Sequence, residues 1–164
     1  MNARTPWAIH PADPHSPAAA ALLRHYLAEM ITRYYARPTD DAEIDHHLAT
    51  GHHSNDLTPP TGLLLLAHRD EHPVGCAGIR RLTSHTWELT RMYVHPRARG
   101  TGLSTALLHT AETTAHHLGA HTIRLNTRKD LLEARALYAR HGYTEIPPYG
   151  DDPLADHWFE RSLV

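Results

Sequence analysis

The chain carries a single cysteine, Cys76, among its 164 residues. That excludes an internal disulfide and makes a reducing compartment the expectation. Long apolar runs are missing too. Leu63-Leu64-Leu65-Leu66-Ala67 is far too short to cross a bilayer, and MNARTPWAIHPADP lacks the apolar stretch of a signal peptide. A soluble cytoplasmic protein with no membrane partner is expected. Neither sign of charge dominates: 16 basic against 18 acidic residues give a net charge of -2, with no basic tail or stripe. Nucleic acid is therefore an unexpected partner. There is no G-K-[ST] and no G-x-G-x-x-G, which argues against a P-loop nucleotide site and a dinucleotide fold. H-E-x-x-H and Cys/His zinc spacings are also absent, so no metal is expected.

Histidine is abundant, with 17 copies, including the pairs His46-His47, His52-His53 and His116-His117. Compositional drift at solvent-exposed positions accounts for them, and a fortuitous metal patch from His46 to His53 is the alternative. Many of these imidazoles gain protons between neutral and mildly acidic pH.

The length fits one domain, 1–164, with a sizeable core. Trp7 to Ile9 is a candidate strand, and Ser16-Pro17 a cap and first residue for a helix to Tyr35. A second helix is expected from Asp41 to Ala49, stopping at Gly51, and the polar stretch to Thr61 with Pro59-Pro60 reads as a loop. Leu63–His68, Val74–Arg81 and Trp87–Val94 read as three successive antiparallel strands. Leu103, Leu107, Ala111, Thr114 and Leu118 share one helix face, ended by Gly119. Strand Thr122–Thr127, helix Leu132–His141, strand Tyr143–Ile146 and strand His157–Leu163 complete the chain. A strand–helix–strand unit from Trp87 to Thr127 predicts a parallel pair.

The most informative segment is Arg97-Ala98-Arg99-Gly100-Thr101-Gly102, directly after the strand ending Met92-Tyr93-Val94. A strand ends, the chain turns at His95-Pro96, and two glycines lead into a helix. That order builds a cup of backbone N–H groups where the helix dipole favours an anion. Glycine lets backbone approach a ligand closely, and the arginines can supply charge-assisted bonds to phosphate. A tight turn with no ligand is the plainer alternative.

R-x-x-G-x-G after Tyr-Val-x-Pro, followed by Ala134-Arg-Ala-Leu-Tyr138-Ala-Arg-His-Gly-Tyr143, resembles the GNAT superfamily of acyl-CoA-dependent N-acyltransferases. The resemblance extends over nearly the whole chain and is closest to bacterial small-molecule members. It implies an α/β fold of the α+β kind, with a central mixed, mostly antiparallel sheet of six to seven strands. Helices cover both faces, and the sheet is splayed at the acyl-CoA site. It also implies acetyl-CoA as co-substrate, a primary amine of a small molecule as acceptor, and a homodimer as a common assembly.

By this resemblance Arg97, Arg99, Gly100, Thr101, Gly102 and Leu103 bind the coenzyme A pyrophosphate. Met92, Tyr93 and Val94 line the pantetheine arm, and Asn126 bonds the pantetheine amide or the acceptor. Tyr138 protonates the departing thiolate, since a phenol can donate to a developing anion at neutral pH. Glu88 is the candidate base. Strand alternation places Glu88, Thr90, Met92 and Val94 on one face and Trp87, Leu89, Arg91 and Tyr93 on the other. Cys76, inside an apolar strand, reads as a buried small side chain rather than a nucleophile.

Tyr26, Met30 and Tyr34 of the first helix, with Tyr149 and Trp158 near the C-terminus, are the candidate acceptor pocket. Arg33 and Arg37 suit a carboxylate; Asp151 and Asp152 suit a cationic amine. The sequence leaves both open. A protein or peptide acceptor and a non-catalytic acyl-CoA-binding module remain as alternatives.

Overall fold

A computed structural model describes residues 7–50 and 55–164. The expected stop at Gly51 and the His52-His53 pair lie outside the described residues. Strand β1 (Ala8–Ala12) leads to α1 (Pro17–Tyr35), which starts where the Ser16 hydroxyl accepts the Ala19 N–H at 3.4 Å. Next come α2 (Asp41–Thr50), β2 (Gly62–Arg69), β3 (His72–Arg81) and β4 (Thr86–Val94). A 3-10 turn at Pro96–Ala98 precedes α3 (Leu103–His117) and β5 (Thr122–Thr127). The chain ends with α4 (Leu132–Arg140), β6 (Thr144–Ile146) and β7 (His157–Ser162).

The strands form a single seven-stranded sheet in the order β1-β2-β3-β4-β5-β7-β6. Among the described residues only the β4/β5 pair is parallel, as the strand–helix–strand unit predicts. Apolar residues cover both faces. Leu107, Leu108 and Ala111 of α3 pack with Leu65, Ile79, Trp87 and Ile123 on one side. Leu22 and Leu23 of α1 pack with Leu64, Leu66, Cys76 and Tyr93 on the other. Helix α2 docks on α1 through Ile44 against Leu27 and Ile31.

Two expectations are corrected. Leu118 is not on the buried face of α3; it is 49% exposed at the cap, and Glu112 and Ala115 are buried instead. The inward stripe runs Leu103, Leu107, Leu108, Ala111, Glu112, Ala115, and the helix ends before it can bring Leu118 inward.

The second correction concerns β4. Against β3, Cys76 pairs with Tyr93 but Gly78 pairs with Thr90, so β4 holds one extra residue. Arg91 takes the left-handed conformation, φ 54°, in this bulge, and its carbonyl accepts from the Cys76 thiol at 3.1 Å. Alternation is broken there. Trp87 and Leu89 share the α3-side core, with Met92 and Val94 packed against it, while Tyr93 joins the α1-side core.

Candidate active site

Parallel pairing of β4 with β5 covers only Thr86, Glu88 and the residue between them against Thr122–Arg124. Beyond Glu88 and Arg124 the strands part, and the gap is a cleft of about 1050 Å³. From Glu88 to Val94 one wall runs for roughly 20 Å of strand.

At the Val94 end the chain turns into α3. Gly100 and Gly102 have φ of 74° and 86°, a region that L side chains occupy only under strain. A Cβ on Gly100 would meet nothing within 4 Å, so the turn is open on that side. Gly102 is the N-cap of α3, no side chain among the described residues caps the helix, and its first turn holds no acidic residue. The leading N–H groups are thus left for a ligand or solvent, at the positive end of a fifteen-residue helix. Arg99, Gly100, Gly102 and Leu103 line the cleft, as do Met92, Tyr93, Val94 and Asn126. Arg97 and Thr101 stand outside the lining. The Arg97 N–H donates to His95 Nδ1 at 3.2 Å, and the Thr101 hydroxyl closes the turn by donating to the Ala98 carbonyl at 2.6 Å.

Arg99 has an acidic partner that the local sequence does not show. It bonds Glu29 of α1 at 2.7 Å and donates from Nε to the Val94 carbonyl at 3.0 Å. The same helix is tied to the other wall. Arg33 pairs with Glu133 at 2.5 Å and donates to the Asp130 carbonyl at 2.9 Å, and Arg128 donates to the Met30 carbonyl at 2.9 Å. Helix α1 therefore bridges both sides of the gap.

Where the strands meet, Glu88 is 5% exposed. Its Oε1 accepts from Arg80 Nε and its Oε2 from the Tyr149 hydroxyl, both at 2.8 Å. Arg80 also bonds Asp56 at 3.0 Å, and the Arg124 guanidinium lies 5.3 Å from the centre of the Tyr149 ring. Burial first, then the Glu88 charge, push the Tyr149 phenol well above its ordinary value. Arg80 and Asp56 were missed in the sequence. Arg80 was findable, because the hairpin ending at Thr86 sets it directly opposite Glu88.

Tyr138 lines the cleft from α4, and burial raises its phenol strongly. Tyr26 lines the cleft with its ring 5.9 Å from that of Tyr93, and burial raises it as well. The cleft brings Tyr26, Glu88, Tyr138 and Tyr149 together. Tyr34 and Trp158 are outside its lining: Tyr34 is 48% exposed with Arg128 over its ring, and Trp158 is held in β7 between Asn126 and Ile146.

The two opposed charge sets also separate. Arg33 is neutralised by Glu133, and Arg37 by Glu43 at 2.7 Å. Asp151 and Asp152 line the cleft, and among the described residues neither forms an ion pair. No group of three His, Cys, Asp or Glu side chains among the described residues converges as a metal set, and no helix among them is long and apolar enough to cross a membrane.

A sheet parted beside an uncapped, glycine-led helix is the arrangement expected from the motif resemblance. The model of the acetyltransferase (GNAT) family matches residues 20–143. The chain belongs to the GNAT family. An uncharacterised N-acetyltransferase of Mycobacterium tuberculosis is 31% identical over 100 residues, covering 61% of this chain and 64% of that protein. The chain thus spans a little under two thirds of that curated relative. A Klebsiella pneumoniae protein assigned as an acyl-CoA N-acyltransferase shares 28% identity at a TM-score of 0.71, over 96% of this chain and 98% of its own. The PaiA N-acetyltransferase of Thermoplasma acidophilum, solved in complex with coenzyme A, shares the GNAT fold at a TM-score of 0.73 and 16% identity, over 95% and 98% of the two chains.

Proposed function

We propose that this protein transfers an acetyl group from acetyl-CoA to a primary amine of a small molecule, by direct attack in a ternary complex. The observation that carries this reading is the continuity of one cleft from the uncapped N-terminus of α3 to the buried Glu88. The coenzyme A complex of the Thermoplasma protein of the same fold supports the donor. Asp151 and Asp152, which line the cleft without an ion pair among the described residues, support a cationic acceptor, although Asp152 also accepts the Leu154 N–H at 2.9 Å; the neutralised Arg33 and Arg37 do not favour an acidic one.

In this scheme the N–H groups following Gly100 and Gly102 hold the pyrophosphate, with Arg99 adding charge. The edge of β4 past the bulge, Met92 to Val94, offers backbone groups to the pantetheine amides, and Asn126 faces it from β5. Acetyl-CoA supplies an activated thioester. Glu88 takes the proton that the acceptor ammonium must lose before attack; Tyr138 donates one to the departing sulfur, and the second proton lost from nitrogen as the amide forms restores the Tyr138 phenol. Most of the rate comes from holding amine and thioester together in one orientation. Cys76 takes no part: it is fully buried, and burial pushes its thiol up to about 12.

The test is calorimetric titration of the protein with acetyl-CoA, repeated on Gly102→Glu. The expected result is binding that the glutamate abolishes, with an unchanged far-ultraviolet spectrum. Thiol release is then followed over a panel of small primary amines, with peptides bearing free N-termini as the competing class. Absence of donor binding, or release with peptides alone, overturns the reading.

A further inference from the structure

Glu88 is poorly placed to meet an ammonium directly. Both its oxygens are engaged at 2.8 Å, one by Arg80 Nε and one by the Tyr149 hydroxyl, and 5% of the residue is exposed. Tyr149 is half-buried and more accessible than Glu88. It lines the cleft from the stretch between β6 and β7, it donates to Glu88, and a phenol oxygen that donates one bond retains acceptor capacity.

We propose that Tyr149 is a catalytic proton relay between the acceptor amine in the cleft and Glu88. The inference rests on the amine acetylation proposed above. As the ammonium N–H bond breaks, its proton passes to the Tyr149 oxygen, and the Tyr149 O–H proton passes to Glu88 Oε2. The net change is a neutral amine and a protonated Glu88, with the phenol restored. After product leaves, the proton returns to water along the same path.

The surroundings are built to hold this geometry. Arg80 and Asp56 fix the carboxylate from β3 and the turn before β2. Arg124 of β5, itself paired with Glu160 of β7 at 3.0 Å, lies over the phenol ring. The phenol is pinned on two sides, so its hydroxyl has one buried acceptor and one open direction. A half-buried phenol with a raised pKa also stays protonated and ready to donate at working pH. Glu88 and Arg124 are the last paired residues before the strands part, so the relay stands where the cleft is narrowest.

The experiment compares Tyr149→Phe and Glu88→Gln with the parent enzyme, using acetyl-CoA and the amines of the panel that give thiol release. Phenylalanine keeps the ring under Arg124 and removes only the hydroxyl. For Tyr149→Phe, kcat is expected to fall about tenfold or more at neutral pH, with the KM for acetyl-CoA unchanged. The deficit should shrink as pH rises, because the amine then arrives deprotonated and needs no relay. A purely structural role would lower the rate by the same factor at every pH. A Tyr149→Phe enzyme with parental kcat across pH, or with a pH-independent deficit, overturns the relay. If Glu88→Gln is impaired in that case, the carboxylate stands as base without the phenol. If Glu88→Gln is unimpaired, the base itself is removed from the mechanism. No thiol release by the parent overturns the acetylation reading and the relay with it.

Discussion

Arg99, in the turn before α3, donates from one terminal nitrogen to both carboxylate oxygens of Glu29, at 2.9 and 2.7 Å. A cation suited to phosphate is thus held by an internal anion that itself lines the cleft. Arg99 Nε also donates to the Val94 carbonyl at 3.0 Å, an anchor that is independent of the Glu29 side chain. Glu29→Gln should tighten coenzyme A binding about three- to tenfold by relieving like-charge repulsion on the pyrophosphate, roughly 0.6–1.4 kcal/mol. The gain should fade at high salt. Calorimetry at two ionic strengths checks it, and weaker binding by Glu29→Gln would count against the idea.

Tyr138→Phe should lower kcat about ten- to hundredfold while leaving acetyl-CoA affinity unchanged. Burial raises this phenol above its ordinary 10.0, so it holds its proton through the whole neutral range. The pH–rate profile should show no falling limb from Tyr138 below pH 10. A limb in that range that vanishes in the Phe variant would contradict the assignment.

The thiol of Cys76 should resist labelling by iodoacetamide at pH 8 in the native protein and react once it is unfolded. Thiolate is the reactive form, and burial pushes this group up to about 12. Mass spectrometry after a timed exposure reads the result; rapid native labelling would reopen a covalent route.

Alkaline pH should destabilise the fold. Tyr26, Tyr138, Tyr143 and Tyr149 are all raised above the ordinary value of 10.0, chiefly by burial. A raised folded value favours the folded state fully below the unfolded value, and that advantage is lost as pH climbs past it. Urea midpoints should therefore stay level up to about pH 9 from this cause and fall by pH 11. An unchanged midpoint at pH 11 would show that these phenols are free to ionise in place.

The seven strands and four helices were largely legible because their signals are local. Ser16-Pro17 started α1, Gly142 ended α4, and the strand Thr122–Thr127 matches β5 to the residue. The bulge was not legible. One extra residue at Arg91 leaves Thr90-Arg91-Met92-Tyr93 looking like continuous strand, and arginine is not a residue that announces positive φ. The ion pairs escaped for a different reason. Glu29 and Arg99, or Arg33 and Glu133, lie far apart in the chain and meet only because α1 crosses the parted strands. Which motif residues face the cleft was set by bonds inside the turn, such as that of the Thr101 hydroxyl to the Ala98 carbonyl, and spacing alone does not show them. Thr101 and Gly102 are neighbours in sequence and only Gly102 lines the cleft.

The brief contact of β4 with β5 has a mechanical meaning. Strands β1 to β4 and strands β5, β7 and β6 are two plates joined by a short seam, with α1 riveted across the opening by side chains from both plates. Past the seam, β4 presents an unshielded margin in the middle of a sheet, where an ordinary domain would have a neighbouring strand. On the proposed reading, a donor lying along that margin acts as the missing strand. It would make the two plates continuous, so that the molecule carrying the acetyl group is also a structural member of the sheet.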